Sequence, residues 1–218
     1  GELDIVSRLL NEAFIHDIKE GIHIKLPDNL KDFDDLSNIF SKLNLCIALP
    51  ITNSSLNGEV KVIGMEQGSI WAMVTLGAIQ ARIFISKVAM SAASVYKMVL
   101  EGKETEQRIR ALSLKNDLIE EINTAQKENI RSFMESQAEL LEKDYFESSE
   151  LERLNLIKNS IKTLSELYPK GLELHPSSQS ENEDLKFPDY EELRKLSESK
   201  TQILSGRSED DESEEPKL

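Results

Sequence analysis

The hydrophobic pattern of the chain is strongest between Glu59 and Glu101. Apolar residues alternate with polar ones on one side of a turn around Gly68, and an apolar run follows that turn. This arrangement is typical of a β-hairpin, which we expect over residues 59–75. Gly77 then leads into the most apolar helix that the sequence predicts, over residues 79–99.

This helix has a narrow polar stripe formed by Gln80, Lys87, Ser91 and Ser94, and the remaining circumference is apolar. A helix of this kind must be buried on several sides. The sheet is one expected neighbour, and the first helix or a second copy of the chain is the other. The residues predicted to form an interaction surface are Ile79, Ile83, Phe84, Val88, Ala92, Val95, Tyr96 and Val99.

Four shorter elements are expected before the hairpin. Helical spacing of apolar residues predicts a helix over residues 4–20, and alternation predicts a strand over Ile22–Leu26. A second amphipathic helix is expected over residues 31–43. The apolar run Leu45–Leu49, too short for a helix, predicts a buried strand.

The character of the chain changes after Gly102, where a charged helix is expected over residues 103–143. Ser149 and Glu152 have the spacing of a capping box, which predicts the start of another helix. Its apolar stripe ends before Pro169, so we expect the two helices to form an antiparallel hairpin or an arm.

The predicted fold class is α+β: about four short strands in a mixed or antiparallel sheet packed on helices, followed by a long helix and a helical hairpin. The predicted division is a head domain over residues 1–102, a helical hairpin or arm over 103–168, a linker over 169–188, an isolated short helix over 189–204 and a disordered acidic tail over 205–218.

Charge and composition exclude several classes of function. The net charge is −14, with half of the excess in the last 50 residues, which argues against nucleic-acid binding by a basic face. One cysteine permits no intramolecular disulfide, and no signal peptide is visible, so a cytoplasmic location is expected. Arg82 and Lys87 interrupt the apolar helix, so no transmembrane segment is expected.

Candidate chemistry is sparse. His16, His23 and His175 have no metal-ligand spacing, and Cys46 lies in an apolar run that predicts a small core residue. We therefore expect no catalytic residue, metal or cofactor site. The Gly64–Gly68 stretch, with Ser69 after it, is interpreted as turn chemistry. Trp71 and Met73 are interpreted as core residues.

Four aspartates form an acidic cluster near the start of the second predicted helix. Its members are Asp28, Asp32, Asp34 and Asp35. They lack the glycine and the final glutamate of a calcium loop, and acidic residues favour a helix N-terminus, so helix capping is the preferred role.

Three hypotheses for function remain. The preferred one is a non-enzymatic, self-associating interaction or scaffold protein that acts through the apolar helix and the helical arm, as a homo-oligomer with a possible protein partner. The second is an enzyme, or the regulatory subunit of one, with an acidic site around Asp28–Asp35. In the third, the acidic tail binds a basic partner or mimics nucleic acid.

Overall fold

A computed structural model describes residues 21–66, 71–112, 116–177 and 184–205. Four strands form one sheet: β1 (Gly21–Lys25), β2 (Gly58–Glu66), β3 (Trp71–Gly77) and β4 (Glu173–Pro176). The order across the sheet is β2-β3-β1-β4, and every neighbouring pair is antiparallel. The predicted α+β class and the predicted hairpin are both confirmed.

One face of the sheet forms one side of the hydrophobic core. Ile22 and Ile24 on β1 lie opposite Val74 and Ala72 on β3, and Leu174 on β4 lies opposite Ile24. All five side chains are buried. Side chains alternate between the two faces of a strand, so the polar residues between these positions lie on the second face.

Helix α1 (Phe33–Leu43) begins at Asp32, whose Oδ1 accepts a hydrogen bond from the Asp35 amide at 2.9 Å. The helix continues through a π-helical turn, Asn44–Ala48, into the short helical segment Leu49–Ile51. The predicted strand over Leu45–Leu49 is therefore wrong. A strand would place alternate residues of this run on opposite faces, whereas the helical turn buries Cys46 and Ile47 side by side.

Four further helices follow: α2 (Ile79–Ala111), α3 (Asn116–Tyr145), α4 (Leu151–Leu167) and α5 (Tyr190–Ser205). Helix α2 passes through Gly102 without a break, so the start of a new helix predicted after Gly102 is wrong. A glycine inside a helix costs only about 1 kcal/mol relative to alanine, and the flanking turns are good helix formers. The single charged helix predicted over residues 103–143 is wrong, because α2 ends at Ala111 and α3 begins at Asn116. The long helix and the antiparallel hairpin, formed by α3 and α4, are confirmed.

Helix α2 is the centre of the molecule, because α3, α4 and α5 all pack against it. Phe84 of α2 is fully buried and makes edge-to-face contacts with Tyr145 and Phe146, with ring centroids 5.3 and 5.9 Å apart. From beyond the end of α4, the Tyr168 hydroxyl donates a hydrogen bond to the Ala89 carbonyl at 3.0 Å. The core is thus completed by helices that lie far along the chain.

The turn between α3 and α4 is organised by Glu142. Its carboxylate accepts hydrogen bonds from the Ser149 hydroxyl at 2.6 Å and from the Glu150 amide at 2.8 Å. The predicted capping box is wrong, because the N-cap of α4 is Glu150 and the Ser149 hydroxyl is bound to Glu142.

The C-terminal part of the described chain returns to the core. Strand β4 lies inside the range predicted as a linker and pairs with β1. Helix α5 is capped by Asp189, as its sequence suggests, and packs on α2 with Tyr190 and Leu193 buried. The predicted first helix over residues 4–20 lies outside the described residues, as do residues 206–218 of the predicted tail.

Candidate functional site

The interaction surface predicted on α2 lies mostly inside the protein. Of its eight residues, Ile79 and Val99 are half-buried and the other six are buried. The buried six are Ile83, Phe84, Val88, Ala92, Val95 and Tyr96. The other helices of the same chain pack on α2, so these six side chains are not available to a partner in this conformation.

The same helix, α2, is also a candidate for a membrane-spanning segment. By length and composition α2 could cross a membrane, and 61% of its most apolar 18-residue stretch is buried inside the protein. The core helix of a soluble protein has the same properties, so α2 gives only weak support for a spanning helix.

An apolar groove of about 450 Å³ lies between α1 with its π-helical turn and strand β2. We call it the β2 groove. Helical spacing places Phe40, Leu43 and Ile47 on one wall. Strand alternation places Val60 and Val62 on the other, with Val74 and Ile24 of the neighbouring strands beside them. Among the described residues, the groove is therefore a place where the apolar face of the sheet is only partly covered.

Exposed apolar side chains lie on the elements that form the β2 groove, although of these only Val62 lines it. Val62 is 54% exposed, and on α1 and its π-helical turn Phe33 is 88% exposed and Leu45 is 55% exposed. A second, shallower depression lined by Phe40 and Leu45 adjoins the groove. A cluster of exposed apolar residues beside an open groove is typical of a binding surface.

Three members of the predicted acidic cluster, Asp32, Asp34 and Asp35, lie at the start of α1, whereas Asp28 lies beside Gly171 near the β4 edge of the sheet. Asp32 caps the helix, and the Asp35 carboxylate accepts a hydrogen bond from the Lys31 amide at 3.0 Å. Asp28 and Asp34 are exposed. Within the described residues no group of three or more histidine, cysteine, aspartate or glutamate side chains could hold a metal ion. The capping role expected for Asp32 agrees with this geometry.

Strand β2 is an edge of the sheet in the described part of the chain, but its pairing is irregular. Gly58 lies opposite Gly77 and Lys61 opposite Thr75, so β2 contains an extra residue, and a second irregularity follows between Val62 and Gly64. Exposed Lys61 also forms an ion pair with Glu59 at 2.8 Å. Bulges and an edge lysine both oppose the addition of another strand.

A polar cleft of about 230 Å³ lies at the opposite edge of the sheet, between β4 and α5. Glu173 lines this cleft; it accepts a hydrogen bond from Lys25 at 3.1 Å and pairs with His175 at 2.9 Å. Burial raises the pKa of the Glu173 carboxyl, but these two partners outweigh burial and hold the pKa below its usual range. Glu173 is thus an ionised link between β1 and β4.

The surroundings of His23, His175 and Cys46 suit structural roles. His175, expected in a linker, lies on β4 directly opposite His23 of β1, and its ring is 5.3 Å from those of Trp71 and Tyr190. Cys46 is buried, and burial raises the pKa of its thiol to about 12. The core role predicted for Cys46 fits this environment. His16 and part of the Gly64–Gly68 turn lie outside the described residues.

Sequence reasoning missed the β2 groove because the run before Pro50 suggested a buried strand. Two signals in the sequence could have identified it. Leu45 and Leu49 are four residues apart, which in a helix places them together on a face different from that of Cys46. Phe33 stands between aspartates at a helix start, where a core residue is unusual.

The comparisons with known proteins give a distant relative. No family model matches the chain, and no solved structure matches it. The uncharacterized protein YqaP of Bacillus subtilis (strain 168) is 26% identical over 187 residues, which cover 83% of this chain and 60% of the relative. The chain therefore spans about three fifths of the length of this relative, to which it is similar.

Proposed function

We propose that the chain is a non-enzymatic interaction protein that binds another polypeptide through the β2 groove. The observation that supports the proposal most is an apolar groove lined by the exposed Val62, with exposed Phe33 and Leu45 on α1 and its π-helical turn, which form one wall. Burying one such side chain against a partner contributes roughly 1.5 to 3 kcal/mol, so several of them together offset part of the free-energy cost of association.

Side-chain packing, and not strand addition, is the expected mode of binding. The irregular pairing of β2 and the exposed Lys61 oppose a new strand at this edge. A groove between a helix and a sheet suits the apolar face of an amphipathic helix instead.

The enzyme hypothesis has less support. Asp32 and Asp35 are engaged in hydrogen bonds at the start of α1, and Glu173 is engaged by Lys25 and His175. These contacts give each of the three carboxylates a structural role, so no catalytic role is needed to explain their positions. The homo-oligomer predicted from α2 stays a prediction, and light scattering at several concentrations tests it.

Site-specific photocrosslinking tests the proposal. A photoreactive residue replaces Val62 in the full chain, and a control chain carries it at Leu151, which is 74% exposed and does not line the groove. In cells that express each chain, we expect discrete adducts of defined mass from position 62 and none of the same mass from position 151. No adduct from position 62, or the same adducts from both positions, would contradict the proposal.

A further inference from the structure

We infer that α5 is a removable cover on the middle of α2, which opens as a unit while the rest of the described protein stays folded. Opening exposes Tyr96 of α2, a residue of the predicted interaction surface that the closed structure buries. This surface is separate from the β2 groove, so its exposure does not depend on the proposed function.

Helix α5 lies over a surface formed by α2, by the turn that follows α4 and by β4. The Tyr190 ring packs edge-to-face against that of Tyr168, with centroids 5.4 Å apart, and lies 5.3 Å from the ring of His175. Leu193, one turn further along α5, lines the polar cleft together with Tyr96. Helix α5 therefore contributes to the burial of Tyr96.

The apolar contacts of α5 are concentrated at its start. Tyr190 and Leu193 are buried, and Leu185 is buried in the segment that leads into the helix. The side chains of residues 194–198 are all exposed or half-buried. A few apolar anchors at one end of the helix therefore hold it on the protein.

The remaining contacts of α5 are weak. Lys97 and Glu192 form an ion pair at 2.9 Å, but both side chains are largely exposed, and such pairs contribute little to stability. The Tyr190 hydroxyl is buried beside Tyr168 and Leu174, yet among the described residues it has no partner at normal hydrogen-bond geometry. The polar cleft also separates part of α5 from β4, so this interface is not closely packed.

Helix α4 is held much more firmly on α2. Four of its apolar side chains are at most 1% exposed: Ile157, Ile161, Leu164 and Leu167. Elements with few buried contacts open at a lower free energy than elements of the core. A free helix of 16 residues is marginal in water, so α5 should lose its helical hydrogen bonds when it leaves α2.

Native-state hydrogen exchange of the full chain, followed by mass spectrometry, compares the two helices. We expect the amides of residues 190–198, which include the anchored turn of α5, to have protection factors at least about tenfold lower than those of α4. Protection factors that agree within about twofold would overturn the inference, because the two helices would then open together.

Leu193→Ala removes one anchor of α5, and Leu151→Ala is the matched control, because Leu151 is 74% exposed at the start of α4. We expect Leu193→Ala to lower the protection of residues 190–198 at least about fivefold and to leave α4 within about twofold. The control should leave both helices within about twofold. An equal decrease in both helices in Leu193→Ala, or no decrease in α5, would overturn the inference.

Hydroxyl-radical footprinting measures the exposure of Tyr96 directly. Phe84 is the internal reference, because it is fully buried in α2 against Tyr145 and Phe146. In Leu193→Ala we expect the labelling rate of Tyr96 to rise at least about threefold and that of Phe84 to stay unchanged. A rise at both residues would indicate general unfolding, and no rise at Tyr96 would show that α5 does not control access to it. Either result would overturn the inference.

Discussion

The Glu142 carboxylate near the end of α3 accepts a hydrogen bond from the Ser149 hydroxyl at 2.6 Å. Glu142 is only 4% exposed, and its second oxygen accepts the Glu150 amide, which is the N-cap of α4. A buried carboxylate therefore fixes the turn that brings α4 back along α3.

Replacing this carboxylate should destabilise the protein. In Glu142→Gln one acceptor oxygen becomes an amide group, so we expect the free energy of unfolding to fall by about 1 to 2 kcal/mol. Urea unfolding followed by circular dichroism measures the change. Glu139→Gln, at an exposed position one turn earlier, should change stability by less than about 0.5 kcal/mol. Equal effects would contradict the role of Glu142.

The link between β1 and β4 should make stability depend on pH. Lys25 and His175 hold the pKa of Glu173 below its usual range, although burial opposes them, and Tyr190 of α5 lies beside the same cleft. A carboxyl with a depressed folded-state pKa stabilises the fold above its unfolded pKa, about 4.3 for glutamate, and this contribution is lost as pH falls through the folded value.

The comparison is between the wild type and Glu173→Gln. We expect the variant to be less stable at neutral pH, and the difference in melting temperature to shrink as the pH falls from about 5 to about 3. A difference in melting temperature that stays constant over this range would show that ionisation of Glu173 does not contribute.

Cys46 should be unreactive while the protein is folded. Its thiol is buried in the π-helical turn, and burial raises the pKa to about 12, so almost no thiolate is present at pH 8. We expect a chromogenic disulfide reagent to modify Cys46 only at the rate of unfolding, and rapidly in denaturant. Fast modification of the native protein would contradict this structure of the turn.

Two glycines should respond to alanine with opposite signs. A Cβ at Gly102 would lie 2.9 Å from Oε1 of Gln126, the far end of a flexible side chain that can move away. Because alanine is the better helix former, we expect Gly102→Ala to raise the free energy of unfolding by about 0.5 to 1 kcal/mol. The same substitution in a Gln126→Ala background should give at least as large a gain.

Gly171 is different, because its φ is +92° and a Cβ would lie 2.7 Å from the Asp28 carboxylate. We expect Gly171→Ala to lower the free energy of unfolding by about 1 to 2 kcal/mol. Urea unfolding of the two variants side by side is the test. A gain in stability from Gly171→Ala would contradict the left-handed conformation at this position.

The sequence pattern predicted those helices and strands in which apolar residues recur with a clear period. Alternation identified β1 and the hairpin of β2 and β3, and helical stripes identified α2 and α4. The run Leu45–Leu49 failed because five consecutive apolar residues have no period. Strand β4 was missed because it has four residues, one of them a proline, and its partner β1 lies nearly 150 residues earlier.

The α2 surface shows a further limit of sequence reasoning. Its apolar width correctly predicts that several neighbours must cover it, but periodicity does not say whether those neighbours belong to the same chain. The apolar stripe of α4, which includes Ile157 and Ile161, covers much of α2. The β2 groove was missed for a related reason, since it exists only where α1 and β2 meet.

The pairing of β4 with β1 has a consequence for the order of folding. The first and last strands of the described sheet are neighbours, so the four-stranded sheet cannot be complete until the chain as far as Pro176 is available. Contacts between residues so far apart in sequence form slowly, because a long loop must close first. During synthesis β1 remains an open edge, and the helices α2, α3 and α4 have time to assemble before the sheet is closed.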